Sequence, residues 1–105
     1  MVRGELFRLS APRGAHGREQ QGARYALVVQ ADELLGLSTV LVAPTSTRAR
    51  AASFRPTIEV DRTPTRVLAE QTSVVDLQRL GASAGRLGTD ELCAVDAALA
   101  LVLGL

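Results

Sequence analysis

The sequence has little of what several classes of protein site require. Its 105 residues include one cysteine, one histidine, one tyrosine, two phenylalanines, no tryptophan and no lysine. The single Cys93 cannot form a disulfide within the chain, which suits a reducing cytosol. The sequence has no cluster of cysteine, histidine and acidic residues at metal-ligand spacing and no glycine-rich phosphate-binding fingerprint. We therefore expect neither a metal nor a cofactor.

Long hydrophobic runs are also absent. No stretch reaches the ~18 apolar residues that mark a membrane-spanning helix. Residues 1–5 contain no apolar core of a secretory signal, so we expect a cytoplasmic protein with no membrane segment. The apolar content of 47% is enough for one domain over residues 1–105, which would bury about 65% of the unfolded chain's surface.

All twelve basic residues are arginines, although the formal net charge is only +1. Guanidinium groups form forked hydrogen bonds with phosphate, so this choice favours recognition of a phosphate-bearing ligand. A GC-rich genome would produce the same bias, and from composition the two explanations stay equally open.

Two β-branched runs, residues 25–30 and 38–43, predict central strands because each is apolar on both faces. Arg24 opens the first run. Pro44 is expected to end the second run, because proline cannot donate to a ladder, and to leave residues 45–48 in a loop. If the two strands pair, Arg24 and Thr45 reach the same edge of the sheet, where a guanidinium and a hydroxyl suit a phosphate.

The remaining pattern predicts short elements around these strands. It indicates strands at 4–9, 56–60 and 65–69, a helical turn at 32–36, a turn at 61–64 and a short helix at 75–80. Residues 10–23 form a polar loop with His16 and Glu19, either a flap that closes over a ligand or a solvated connection. Residues 46–55 carry Arg48, Arg50, Arg55 and Phe54, either a basic patch with a stacking aromatic or a solvated loop.

The C-terminal residues predict a helix over 89–103. Thr89 is the expected N-cap, acids follow in the first turn, and Gly104 ends the element. Cys93 is expected to pack as a small apolar side chain. Residues 97–103 are apolar nearly all round, which indicates a partner chain and favours a homodimer.

Several short motifs in order resemble the PemK/MazF (Kid-like) toxins of bacterial toxin–antitoxin systems. These motifs are Arg3-Gly4-Glu5-Leu6, Glu19-Gln20-Gln21-Gly22, Arg24, Val42-Ala43-Pro44-Thr45-Ser46, Glu70-Gln71, and an acid-capped helix that ends Leu103-Gly104-Leu105. The resemblance implies an α+β, mainly β fold, an SH3-like antiparallel barrel with a C-terminal helix. It also implies a metal-independent endoribonuclease that cleaves single-stranded RNA to a 2′,3′-cyclic phosphate and a 5′-hydroxyl. Its partners would be a cognate antitoxin and a second copy of the chain.

The resemblance also assigns site residues. Arg24 and Thr45 match the catalytic pair, and Glu19 the acid of the flap. The expected substrate-binding residues are Gln20, Ser46, Arg48, Arg50, Glu70 and Gln71. The sequence departs from the family at Tyr25, where proline usually follows the arginine, at Arg18 and at Ser73.

The residue types fit attack by an RNA 2′-hydroxyl on its neighbouring phosphate, for which the protein positions the nucleotide and stabilises the phosphorane. Arg24 suits the second task, and Glu19 is the more natural base. His16 is a second candidate for acid–base chemistry because histidine titrates near neutrality.

Two other functions stay open at this point. The first is a gyrase poison of the CcdB type, although those toxins act through a C-terminal tryptophan that this chain lacks. The second is a non-catalytic SH3-like module that binds RNA or a peptide.

Overall fold

The computed structural model describes residues 1–10 and 24–105. These residues form an antiparallel sheet and one α-helix. The strands are β1 Glu5–Leu9, β2 Tyr25–Val28, β3 Thr39–Ser46, β4 Thr57–Val60, β5 Thr63–Val67, β6 Ser73–Asp76 and β7 Leu80–Arg86, and the helix is α1 Thr89–Leu103.

Strand β3 is the longest strand and pairs with three others. The sheet order is β4-β5-β3-β2-β1-β7, and β6 also pairs with β3. Residues 39–42 of β3 pair with β6, whereas Thr45 and Ser46 pair with β5. Because one strand passes from one partner to the next, the sheet curls into a half-barrel. The predicted SH3-like architecture with a C-terminal helix is confirmed.

The core has two clusters, one on each face of β2. Leu27 of β2 packs with a group that includes Leu6, Ile58 and Val95. Ala26 and Val28 pack with a second group, whose other members are Val40, Val42 and Val75. Successive residues of a strand point to opposite faces, so an all-apolar β2 fills both clusters, as its sequence predicts.

Strand β3 does not end at Pro44, and this prediction was wrong. The carbonyl of Pro44 accepts a hydrogen bond from the Leu68 amide at 2.9 Å. Pro44 lies between the part of β3 that pairs with β6 and the part that pairs with β5. The missing N–H therefore falls where the ladder changes partner, and β3 continues to Ser46.

Residues 73–86 differ most from expectation. The predicted short helix at 75–80 is limited to a 3-10 turn, Leu77–Arg79, between β6 and β7. Strand β7 was not predicted at all. It lies at the edge of the sheet and is mostly exposed, so its sequence of small residues carries no hydrophobic alternation.

Helix α1 covers the predicted residues 89–103, but its N-cap is Gly88 in place of Thr89. The Glu91 carboxylate accepts hydrogen bonds from the backbone amides of Gly88 at 3.1 Å and Glu59 at 2.8 Å. Val95 and Ala98 are its buried residues. Cys93 is exposed, so the expectation that it packs was wrong. It lies two residues from Val95, on the other side of the helix.

In the part of the chain that is described, no helix has both the length and the apolar character that a membrane crossing requires.

Candidate functional site

The pairing of β2 with β3 places Arg24 and Thr45 at the same end of these two strands. Arg24 directly precedes β2, and the register sets Ala26 opposite Pro44. The Arg24 carbonyl accepts a hydrogen bond from the Leu9 amide at 3.0 Å, which fixes the backbone at this point. The Arg24 side chain is exposed and makes no hydrogen bond or ion pair with another described residue.

Thr45 differs from Arg24 in being buried, with 7% of its surface exposed. Its hydroxyl donates a hydrogen bond of 3.0 Å to the carbonyl of Tyr25. The threonine is thus held against the strand that Arg24 opens. The guanidinium of Arg24 is the group here that suits a phosphate, whereas the fixed hydroxyl of Thr45 offers a lone pair to a donor of the ligand.

Ser46 organises the segment that follows β3. Its Oγ accepts hydrogen bonds from the backbone amides of Arg48 and Ala49, both at 3.1 Å. Because its own proton is not used in these bonds, the hydroxyl remains a potential donor to a ligand. Arg48 and Arg50 are exposed on the same segment and make no side-chain contact with a described acid.

Arg55 is paired, which the sequence did not indicate. Its Nε donates to Glu70 Oε2 at 2.9 Å, and its Nη2 binds the same oxygen. Its Nη1 donates to the Arg50 carbonyl at 3.2 Å, and its guanidinium lies 5.5 Å from the centroid of the Phe54 ring. The basic patch expected over 46–55 is therefore reduced to Arg48 and Arg50, because Glu70 neutralises the third arginine.

The hydrogen bond from Arg55 lowers the pKa of Glu70 below its usual value, and the same bond raises the pKa of Arg55. The second carboxylate oxygen of Glu70 is buried and has no hydrogen-bond partner among the described residues. Glu70 is thus an ionised carboxylate held inside the site. No ordinary sequence signal links two residues 15 positions apart across two strands and a turn, so their pairing was missed.

Glu70 and Gln71 belong to a 3-10 turn, Ala69–Gln71, that directly follows β5. The end of β5 pairs with the end of β3, with Thr45 opposite Val67. Both residues therefore lie near Thr45 along the sheet, Glu70 half-buried and Gln71 exposed. Glu19, Gln20, His16 and Arg18 fall outside the described residues, and their predicted roles stay predictions.

No group of three or more histidine, cysteine or acidic side chains within residues 1–10 and 24–105 has the arrangement of a metal site.

Comparisons with known proteins match nearly the whole chain to one protein family. A sequence model of the family described as "PemK-like, MazF-like toxin of type II toxin-antitoxin system" matches residues 2–103. A candidate toxin of Mycobacterium tuberculosis is 37% identical over 106 residues, which cover 100% of this chain and 99% of that protein.

Solved structures share the fold. MazF from Deinococcus radiodurans is 26% identical, with a TM-score of 0.79 over 100% of this chain and 97% of its own. A mycobacterial endoribonuclease in complex with its cognate antitoxin is 21% identical, with a TM-score of 0.80 over 100% of this chain and 96% of its own.

Proposed function

The chain belongs to the PemK-like, MazF-like toxin family of type II toxin–antitoxin systems, and from this premise we propose that it cleaves single-stranded RNA, including mRNA, at preferred sequences. As a member of this family it is an endoribonuclease. The products would be a 2′,3′-cyclic phosphate and a 5′-hydroxyl, without a metal. The observation that supports this reaction is the placement of the exposed Arg24 and the anchored Thr45 at the same end of the β2–β3 pair.

Arg24 stabilises the phosphorane in this proposal. A guanidinium is not deprotonated in proteins, so Arg24 acts as a cationic donor and not as a base. Negative charge on the phosphate oxygens increases as the 2′-hydroxyl attacks, and a guanidinium beside them binds the transition state more strongly than the ground state.

Thr45 positions the reacting group beside Arg24. Its hydroxyl oxygen accepts from a donor of the substrate while the hydroxyl keeps its own hydrogen bond to the Tyr25 carbonyl. Glu19 is the proposed base that removes the 2′-hydroxyl proton, and Gln20 the amide that binds beside it.

The RNA backbone on either side of the cleaved bond needs further cationic and hydrogen-bonding groups. Arg48 and Arg50 are exposed and free to contact phosphates, and Ser46 and Gln71 offer neutral donors nearby. Glu70 is proposed to contribute through the position of the loop, because Arg55 already occupies one of its oxygens.

The proposed partners are a second copy of the chain and a cognate antitoxin, both in the cytoplasm. At the end of α1, Leu101 is 59% and Leu103 64% exposed, an apolar surface that a homodimer would cover. A small acidic antitoxin with a segment that folds on binding would cover the exposed Arg24, Arg48 and Arg50.

The other two functions fit less well. The gyrase-poison alternative requires a C-terminal tryptophan, and the sequence contains no tryptophan. A non-catalytic RNA-binding module would use the same arginines, so only an activity measurement separates it from the enzyme.

The test is cleavage of single-stranded RNA by the purified protein, with the 5′ ends of the products mapped. An oligonucleotide with one 2′-deoxy residue at the cleaved step should bind and resist cleavage, because it lacks the nucleophile. A chelator should leave the rate of the all-ribose control unchanged. Cleavage of the substituted step, or a full dependence on magnesium, would contradict the proposal.

A further inference from the structure

A cavity of about 240 Å³ opens beside the candidate site, on the face of the sheet that carries Thr45. It is lined by Arg8 of β1, Tyr25 of β2, Asp61 of the β4–β5 turn, and Ala82, Ser83 and Ala84 of β7. The curl of the sheet brings the β4–β5 turn across to the other strands. Neither the predicted catalytic pair nor the predicted substrate-binding residues account for this cavity.

The cavity is connected to the site through Tyr25. Arg8 and Tyr25 are partners in the β1–β2 ladder, and the Tyr25 carbonyl accepts the hydroxyl of Thr45. Arg8, Tyr25 and Thr45 thus form a row across three neighbouring strands. Since adjacent strands lie about 4.8 Å apart, a group in the cavity is close to Thr45 and to the reacting group that it would position.

Two of the lining residues form a cation–π pair. The Arg8 guanidinium lies 5.7 Å from the centroid of the Tyr25 ring. Stacked aromatic and guanidinium planes are the surfaces on which proteins bind unstacked bases of single-stranded RNA. The volume is below the roughly 300–1,000 Å³ of sites for drug-sized ligands, which suits one base.

Asp61 supplies a hydrogen-bonding group at the rim of the cavity. The two-residue turn holds Asp61 and Arg62 in the left-handed region, with φ of 53° and 64°. The turn therefore fixes the backbone from which the Asp61 carboxylate projects. Asp61 makes no hydrogen bond or ion pair with another described residue. The Ser83 hydroxyl, in contrast, already donates to Glu5 at 2.7 Å and accepts from the Gly85 amide at 3.3 Å.

We propose that this cavity binds one base of the RNA, next to the cleaved phosphate, and that Asp61 makes it prefer guanine. The inference rests on the proposed function for the nature of the ligand. The base stacks on Arg8 and Tyr25. A carboxylate accepts hydrogen bonds only, and guanine presents two adjacent donors, N1–H and the N2 amino group, where each of the other bases presents one donor position. A two-bond contact of this kind discriminates between bases by about 5- to 150-fold.

Tyr25 makes a direct measurement possible, because it is the only tyrosine of the chain. Its ring protons are therefore the only tyrosine signals in an NMR spectrum of the protein. We would titrate the intact protein with the 5′-monophosphates of guanosine, adenosine, cytidine and uridine, and with ribose 5-phosphate. The expected result is an upfield ring shift with the nucleotides, with guanosine monophosphate binding at least about fivefold more tightly than the others.

Asp61→Asn is the matched variant, because asparagine also tolerates a positive φ. It should abolish the preference for guanine and leave stacking by the four nucleotides in place. Asp90→Asn, which removes a carboxylate from the first turn of α1 and away from the cavity, should keep the preference. A ring shift with ribose 5-phosphate equal to that with the nucleotides would show a phosphate site and overturn the proposal. If none of the compounds shifts the Tyr25 ring signals, the proposal would also be overturned.

Cleavage separates this inference from the proposed function. RNA cleavage at sites without a preference for guanine, or with a preference that Asp61→Asn does not relax, would contradict the base site. The proposed ribonuclease activity would stand in that case. If the ring binds guanosine monophosphate and no RNA is cleaved, the base site stands and the proposed reaction is wrong.

Discussion

The hydroxyl of Thr45 donates a hydrogen bond of 3.0 Å to the main-chain carbonyl of Tyr25, the residue that follows Arg24. A threonine hydroxyl has one proton and two lone pairs. While the proton is held by Tyr25, Thr45 can accept from a substrate but cannot donate to one. A 2′-hydroxyl that donates to Thr45 fits this arrangement directly, whereas a phosphate oxygen requires the bond to Tyr25 to break first.

The first prediction follows from that bond. Thr45→Val keeps the shape of the side chain and removes the hydroxyl, so cleavage should slow by about 10²-fold, the order of magnitude of the effect of a misplaced reacting group. Thr45→Ser should retain most of the activity. Thr65→Val is the matched control, because Thr65 is also buried and its hydroxyl donates to the Thr63 carbonyl at 3.0 Å. Single-turnover RNA cleavage measures the rates, and a Thr45→Val enzyme as fast as the control would contradict the role.

Arg24 gives the second prediction. Arg24→Ala should lower the cleavage rate by about 10²–10³, and Arg24→Lys should restore only part of it, because an ammonium group lacks the planar fork. Arg86 of β7 is also exposed. Arg86→Ala removes the same charge at a different place and should have little effect on the cleavage rate. Circular dichroism would check that all three variants are folded. Full activity of Arg24→Ala would exclude the guanidinium from the reaction.

The elements nearest the site could be predicted from sequence because their patterns are strong. Strand β2 is apolar on both faces and proves to be central, and α1 has acids in its first turn and a glycine at its end. Arg24 and Thr45 lie at the same end of β2 and β3 because the two predicted central strands pair with each other.

Other features depend on contacts that local sequence does not record. Strand β7 is held by backbone pairing with β1 at an exposed edge, so it has no hydrophobic period. Pro44 is tolerated inside β3 because the ladder changes partner there. Arg55 forms its ion pair with Glu70 only after the sheet has curled, and the same curl brings Arg8 and Asp61 to the wall of one cavity.

The ion pair between Arg55 and Glu70 gives the third prediction. The Arg55→Ala substitution leaves the Glu70 carboxylate, one of whose oxygens is buried, without a cation. It should therefore lower the free energy of unfolding more than the double substitution Arg55→Ala/Glu70→Gln does. Urea denaturation of the two single variants, the double variant and the wild type measures this coupling. Additive effects would show that the pair contributes nothing to the loop.

The same pair predicts how stability depends on pH. The folded protein lowers the pKa of Glu70 below 4.5, mainly through the bond from Arg55. This contribution is therefore fully present above the unfolded value and is lost as the pH falls through the folded pKa. The difference in unfolding free energy between wild type and Glu70→Gln should shrink below pH 4.5. Glu33→Gln, at an exposed carboxylate, serves as the control, and a difference that grew on acidification would contradict the pairing.

The fourth prediction concerns the end of α1. If Leu101 and Leu103 lie in a homodimer interface, Leu101→Ser and Leu103→Ser should shift the protein from dimer to monomer in sedimentation at micromolar concentration. Leu37→Ser is a matched control, because Leu37 is 59% exposed, as is Leu101, but lies just before β3. A wild-type protein that sediments as a monomer would contradict the dimer.

The last prediction tests where the antitoxin binds. Arg48 and Arg50 are exposed cations without a described acidic partner, and such charges at the rim of an interface act mainly on the association rate. Reversal of both to glutamate should slow association with the cognate antitoxin by about tenfold at low salt, because steering raises association rates by 10- to 1,000-fold. The salt dependence should weaken in the same variant, whereas Arg86→Glu should change neither quantity to that extent. Stopped-flow mixing at two ionic strengths measures both. If the double reversal leaves the association rate unchanged, the antitoxin binds another surface, away from the end of β2 and β3 that carries Arg24 and Thr45.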